Sequence, residues 1–443
     1  MSKALLLLAL STALFCLIPP DASCLDNDPD GYSFDPSEIE KEIEKKPYRF
    51  SGFLEFRPSL SGLDEDAAFY RIRLFDQEEK PTRQQYNLGL RLEGSCEKGI
   101  ASLYFRADSL LWHDDRGWDS DIDLSEGYLS LKPSPRFTLN VGREVISWGK
   151  GYAFNPVAFV SRPKDPDNPT EALAGFYVIT ADLIRSFKGP LKTLAFTPVL
   201  IPVTKTVNDD FGQPSHLNAA GKLYLLLWDT DLDLIFFTGE SRTPRYGLDF
   251  ARNITTNFEI HGELAWITDF EKISIDTRGN RFTEETGVLQ ALFGIRYLTA
   301  DDITFIIEYF HNGGGLDQAD AENFYRFVDR AADTYLSTGD RSLLTRAGQL
   351  SQETLAADKP MRDYLYFRAS WKEPFDILYV TPAVTSIVNV ADQSFSLAPE
   401  ILYSPETNLE LRLRGTLLAG GSQTEFGEKR SDCQIEFRIR YYF

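Results

Sequence analysis

The residues best suited to chemistry in this chain are charged, and they recur at every second position. Arg49, Arg57, Arg91, Arg106, Arg368, Arg412, Arg414, Arg438 and Arg440 each occupy the polar phase of an alternating apolar/polar run. Asp233, Asp249, Glu259, Glu263 and Glu308 hold the same phase in the middle of the chain. A guanidinium presents a planar fork of donors that matches carboxylate and phosphate. Facing walls of opposite sign would set a field that orients dipolar solutes and draws anionic groups to the arginine side. The competing reading is local neutralisation of the arginines by Glu55, Glu93, Asp108, Glu410 and Glu436.

Residues for bond-making are sparse. The four histidines, His113, His216, His261 and His311, form no His-Glu-x-x-His, and no Gly-x-Ser-x-Gly or phosphate loop occurs. His261 shares a strand face with Glu259 and Glu263, but alternating polar residues on a lumen face would produce that trio without a metal. No Cys-x-x-Cys-His is present for haem attachment. The expectation is a non-enzyme without cofactor or metal. With 46 Lys+Arg against 66 Asp+Glu, net −20, the chain is also a poor match for nucleic acid.

The elements that carry these charges are strands. Leu88, Leu90 and Leu92 alternate with Gly89, Arg91 and Glu93; Leu409, Leu411 and Leu413 with Glu410, Arg412 and Arg414; Phe437, Ile439, Tyr441 and Phe443 with Arg438, Arg440 and Tyr442. One face must meet an apolar medium and the other a polar one. Segments run about 10–13 residues, enough to cross a bilayer when tilted. Aromatics gather at segment ends, as at Trp112, Trp148, Trp228, Trp266, Trp371 and Tyr403, where interfacial girdles would lie.

Strands are predicted at 48–59, 84–95, 100–112, 122–132, 136–147, 172–186, 192–204, 217–229, 231–240, 245–253, 256–268, 284–298, 302–312, 362–372, 376–390, 394–404, 407–419 and 432–443. That makes eighteen, or sixteen if the weakest pair, 192–204 and 217–229, is not strand. One set of connections is uniformly short and lies on the side of both termini. The other set includes the long segments 60–83, 148–171 and 313–361. The fold expected is therefore all-β, a transmembrane antiparallel up-and-down barrel with short periplasmic turns and long external loops.

The mean hydropathy of −0.26 excludes a helical membrane protein. The one long apolar run, 4–18, follows Lys3 and ends at Pro19-Pro20, which marks residues 1–24 as a cleaved signal peptide. Asp21 stands where a lipobox needs an aliphatic residue, so Cys24 is not expected to be lipidated. Residues 25–47 form an acidic periplasmic segment; from 26 it holds eight acidic and three basic residues, in a helical turn or a tail. The barrel then occupies 48–443. Cys96 and Cys433 belong to opposite ends of the barrel, too far apart for a disulfide.

The terminal pattern Phe437, Ile439, Tyr441, Phe443 resembles the signal by which the barrel-assembly machinery recognises its cargo. Together with the strand count, it makes the chain similar to the outer-membrane porin superfamily of Gram-negative bacteria, notably eighteen-stranded substrate-selective porins and alginate-export barrels. Gly142-Arg143, Trp148-Gly149 and Asn155-Pro156 resemble a motif of porin-like families. The resemblance implies residence in the cell outer membrane among its lipids, and passage of small polar solutes, anionic ones included. It also makes the third external loop, 149–171, a candidate constriction, with Arg162, Lys164, Asp165 and Asp167 as its charges. Alternatives are a polysaccharide-export conduit and a barrel sheath around a periplasmic electron-transfer partner. A plugged TonB-dependent transporter is set aside, because only a short segment precedes the first strand. Trp148 is read as an interfacial anchor, and residues 321–336, apolar at helical spacing, as a surface helix on the longest loop by default, with a helical external lid or an inward plug as alternatives.

Overall fold

A computed structural model describes residues 47–75, 80–355 and 359–443. The signal-peptide and acidic-segment expectations concern residues outside this range. Eighteen antiparallel strands follow one another around a closed sheet. They are β1 Tyr48–Leu63, β2 Thr82–Lys98, β3 Ala101–Asp114, β4 Gly117–Ser134, β5 Phe137–Glu144, β6 Phe176–Ser186, β7 Leu191–Val203, β8 His216–Leu227 and β9 Thr230–Thr238. The second half contains β10 Arg245–Thr255, β11 Phe258–Ile275, β12 Arg281–Leu298, β13 Ile303–Asn312, β14 Asp363–Trp371, β15 Val380–Asn389, β16 Phe395–Glu406, β17 Leu409–Ala419 and β18 Ser431–Tyr442. All eighteen predicted segments are strands, including the weakest pair, β7 and β8. The chain is a closed up-and-down barrel, and closure leaves no sheet edge unpaired in the membrane.

The two phases of each strand separate as alternation demands. Leu54, Phe56, Leu413, Ile435, Ile439 and Tyr441 stand exposed on the outer, lipid-facing surface, while Glu55, Arg412 and Arg438 are buried inside. At the seam, Leu54 pairs with Tyr441 and Glu55 with Arg440. Gly52 exchanges two backbone bonds with Phe443, of 3.0 and 3.1 Å. A Cβ on Gly52 would lie 2.2 Å from the Arg91 carbonyl oxygen and 2.8 Å from the Phe443 ring, so the terminal aromatic packs over a glycine that the backbone requires.

Trp148 is not an interfacial anchor. It is buried within the barrel beside Val157, Phe159 and Phe237, because the chain turns inward directly after β5. The predicted surface helix also differs. Three helices, α1 Ala68–Leu74, α2 Gln318–Thr338 and α3 Ser342–Thr354, pack together over the external mouth. In α2, Asp317 caps the N-terminus through the Asp320 amide, and Gly339, at φ 72°, ends it with a left-handed turn. Phe324, Tyr325, Phe327 and Val328 are fully buried in one cluster with Phe310, Tyr364 and Tyr366 of the barrel wall and Phe154 of the third loop. The helical spacing thus reports a face turned into the barrel mouth. Cys96 and Cys433 are free.

Truncating the centre of this cap, Phe324→Ala, should cost about 3–5 kcal/mol of local stability. Amide-exchange protection should fall across α2 and α3 while strand protection holds; equal protection in the variant would refute the packing described.

Candidate functional site

The third external connection, 145–175, has no regular secondary structure, yet it crosses the barrel interior. Such a segment brings unpaired backbone N–H groups into a space with little water, and each needs an acceptor. The wall supplies carboxylates. Glu263 on β11 accepts from the amides of Lys150 at 2.6 Å, Gly151 at 2.6 Å and Val157 at 3.2 Å, and from Asn155 Nδ2 at 3.1 Å. Glu308 on β13 accepts from the amides of Tyr152 and of Ala153, the latter at 2.9 Å. Its carboxylate also lies 3.0 Å from His261 Nε2. Gly149, at φ +97°, permits the entry turn; a Cβ there would lie 2.8 Å from Glu263 Oε1.

Lys150 completes the anchorage. Its ammonium lies 2.9 Å from Asp233 and 3.8 Å from Asp249. Asp233, Asp249 and Glu263 sit side by side in register across β9, β10 and β11. Apolar contacts hold the rest: Phe154 stacks on Phe310 with ring centroids 4.6 Å apart.

This alters the expected acidic wall. Asp233, Asp249, Glu263 and Glu308 do face inward, but they are 1%, 0%, 2% and 0% exposed beneath the loop. Lys150, His261 and loop amides lie against them and cover them from the cavity. Glu259 stays partly exposed, 3.6 Å from His261 Nδ1. Two loop candidates are likewise structural. Arg162 pairs with Asp210 at 2.5 Å and lies over the Phe176 ring, while Lys164 turns back to the carbonyls of Gly151 and Tyr152. Burial pushes the Lys164 ammonium below its ordinary range.

The acidic surface lies instead at the loop tip. Asp165, Asp167 and Glu171 face Arg57, Arg412 and Arg414 across a cavity of about 650 Å³. Asp167 pairs with Lys359 at 2.8 Å. Burial raises the Asp167 carboxyl, but Lys359, Arg414 and Lys429 outweigh it and hold the group below the ordinary carboxylate range. The tip ion pair therefore stabilises the loop above that range and is lost only as pH falls through the lowered value.

The arginine wall is continuous across the seam, and most of it is paired. Arg440 meets Glu55 at 2.6 Å, Arg438 meets Glu410 at 2.7 Å and Arg412 meets Glu436 at 2.7 Å. Arg57 lies 3.8 Å from Glu55 and 3.9 Å from Glu436. Further round, Arg91 pairs with Asp108, Arg106 with Glu126 and Arg368 with Glu400. Arg49 is exposed near the periplasmic end of β1. Even so, the Nε atoms of Arg57, Arg412 and Arg438 are buried without a hydrogen-bond partner among the described residues. Arg412 and Arg438 are direct cross-strand partners, so like charges stand together between carboxylate neighbours.

The sequence reading missed Lys150 and Lys359. Lys150 carried a local signal, a lone cation between two glycines; Lys359 carried none, since its partner is distant in the chain. Replacing Glu263 by Ala should leave loop amides unpaired at about 1–3 kcal/mol each. Exchange at Lys150, Gly151 and Val157 should then rise by roughly tenfold or more, whereas unchanged exchange would show that the carboxylate does not hold the loop.

No family model matches the chain, and no curated protein matches it. Among solved structures it is similar to OccK5 (OpdH) of Pseudomonas aeruginosa at 14% identity, covering 89% of this chain and 98% of that one with a TM-score of 0.49. A triple mutant of the Rhodopseudomonas blastica porin aligns at 10% identity over 89% of this chain and 100% of that one, with a TM-score of 0.43. Such distant likeness adds nothing to the strand count, closure and segregated faces described above. On those features, the chain is a closed, eighteen-stranded up-and-down β-barrel of the transmembrane kind.

Proposed function

We propose that the barrel is a diffusion channel for small polar solutes, favouring those that carry a carboxylate or phosphate. The carrying observation is the cavity between the acidic loop tip and Arg57, Arg412 and Arg414. The guanidiniums that line this cavity can engage a passing anionic group, and neighbouring glutamates keep each binding event weak enough for release. Arg414, cross-strand from Glu400 and Glu436, makes no hydrogen bond or close ion pair among the described residues, so its guanidinium can turn to a solute. Export of a polymer, or threading of a periplasmic partner, would require displacing a loop fixed by buried carboxylates, so diffusion fits the geometry better. In this reading the outward-facing Phe437, Ile439, Tyr441 and Phe443 serve the barrel-assembly machinery and then the lipids.

The purified protein in planar bilayers should carry current whose reversal potential in a salt gradient favours anions. Arg414→Glu should reduce the anion-to-cation permeability ratio by roughly two- to threefold. Liposome swelling should proceed with small sugars and small carboxylates. Absence of both current and swelling would sink the channel reading; an unshifted reversal potential in the variant would sink the anion preference alone.

A further inference from the structure

Lys359 lies far in sequence from the constriction loop, on the segment that returns from the helical cap to β14. It is fixed from behind. The carbonyl of the next residue, Pro360, accepts from the Leu316 amide at 2.9 Å, and the Met361 amide donates to Tyr364 Oη at 2.8 Å. The ammonium also lies over the Phe426 ring. From this rigid point it reaches Asp167 at the tip of the third loop, and its side chain is only 8% exposed. The other cations acting on Asp167 are Arg414 on β17 and Lys429 in the loop joining β17 to β18. Asp167, Lys359, Arg414 and Lys429 line one cavity, in which the tip carboxylate is bonded to the cation of the cap and not to those of the wall.

We infer that Lys359 is a positioning residue that holds the carboxylate of Asp167, and with it the loop tip, off the arginine wall and so sets the width and charge of the passage. The inference rests on the channel reading but concerns a contact between two loops that can be measured without current. When the Lys359 cation is absent, Asp167 moves to the arginine side, bridging the passage and neutralising part of the wall. The cap then acts on the charge of the pore through this ion pair.

The test uses the full barrel with Cys96 and Cys433 replaced by Ser and spin labels at Asn168 on the tip and Thr416 on the wall. In Lys359→Gln the label distance should shorten, and single-channel conductance should fall by roughly twofold. Adding Asp167→Asn should restore both, because the tip has then lost the charge that draws it across. Lys359→Arg should resemble the parent in both readouts. An unchanged or longer label distance in Lys359→Gln overturns the inference, as does a shortened distance that Asp167→Asn fails to reverse. If the parent barrel carries no current, the distance series still decides the positioning role, and only the channel reading fails.

Discussion

An irregular segment can lie inside a membrane barrel only where its backbone polar groups find partners, and that requirement organises the interior of this protein. Glu263 and Glu308 are two carboxylates on neighbouring parts of the wall, and between them they accept the amides of Lys150, Gly151, Tyr152, Ala153 and Val157. Removing those acceptors would leave donors stranded in a space where water cannot easily replace them. The loop is therefore not a flexible flap that happens to hang inward. It is docked, with Lys150 set against Asp233 and Asp249 as a tethered cation.

That docking divides the interior into two regimes. Around β5 to β13 the wall meets loop and side-chain packing, and its charges are consumed in holding the loop. Around β17, β18 and β1 the wall remains open to the cavity, and its charges form a lattice in which each strand sets glutamate beside arginine and neighbouring strands pair the two across the sheet. The lattice satisfies most of each guanidinium while leaving single Nε donors over. A fully neutralised wall would offer a solute nothing, and an unpaired one would be costly to assemble; partial pairing lies between these limits.

Much of this was legible in the sequence. Strand count, register phase and the inward direction of Arg412, Arg438 and Arg440 follow from period-two alternation, which is a local property of each segment. Residues 321–336 were legible as a helix, because its period is local too, but the choice between a surface helix and a lid or plug was not. Burial of α2 depends on Phe154 and Tyr364, which are distant in the chain. Asp233, Asp249, Glu263 and Glu308 were expected to line the pore, and the structure buries them beneath the third loop. Alternation tells which side of a wall a residue occupies, not what a later loop will lay over it. Trp148 failed for the same reason, since a tryptophan at a strand end looks identical whether the chain next turns outward or inward.

The seam has a consequence for how the barrel comes to exist. Its partners, such as Leu54 with Tyr441, are separated by nearly the whole sequence, whereas every other strand pair joins chain neighbours. Loop closure over that span carries the largest entropic penalty in the sheet, and nothing local offsets it. Seventeen hairpin-type pairings can zip progressively, but the eighteenth must wait for both ends to meet. Until then β1 and β18 are open edges in search of any strand, so the interval before closure is when this chain is most exposed to pairing with a foreign strand.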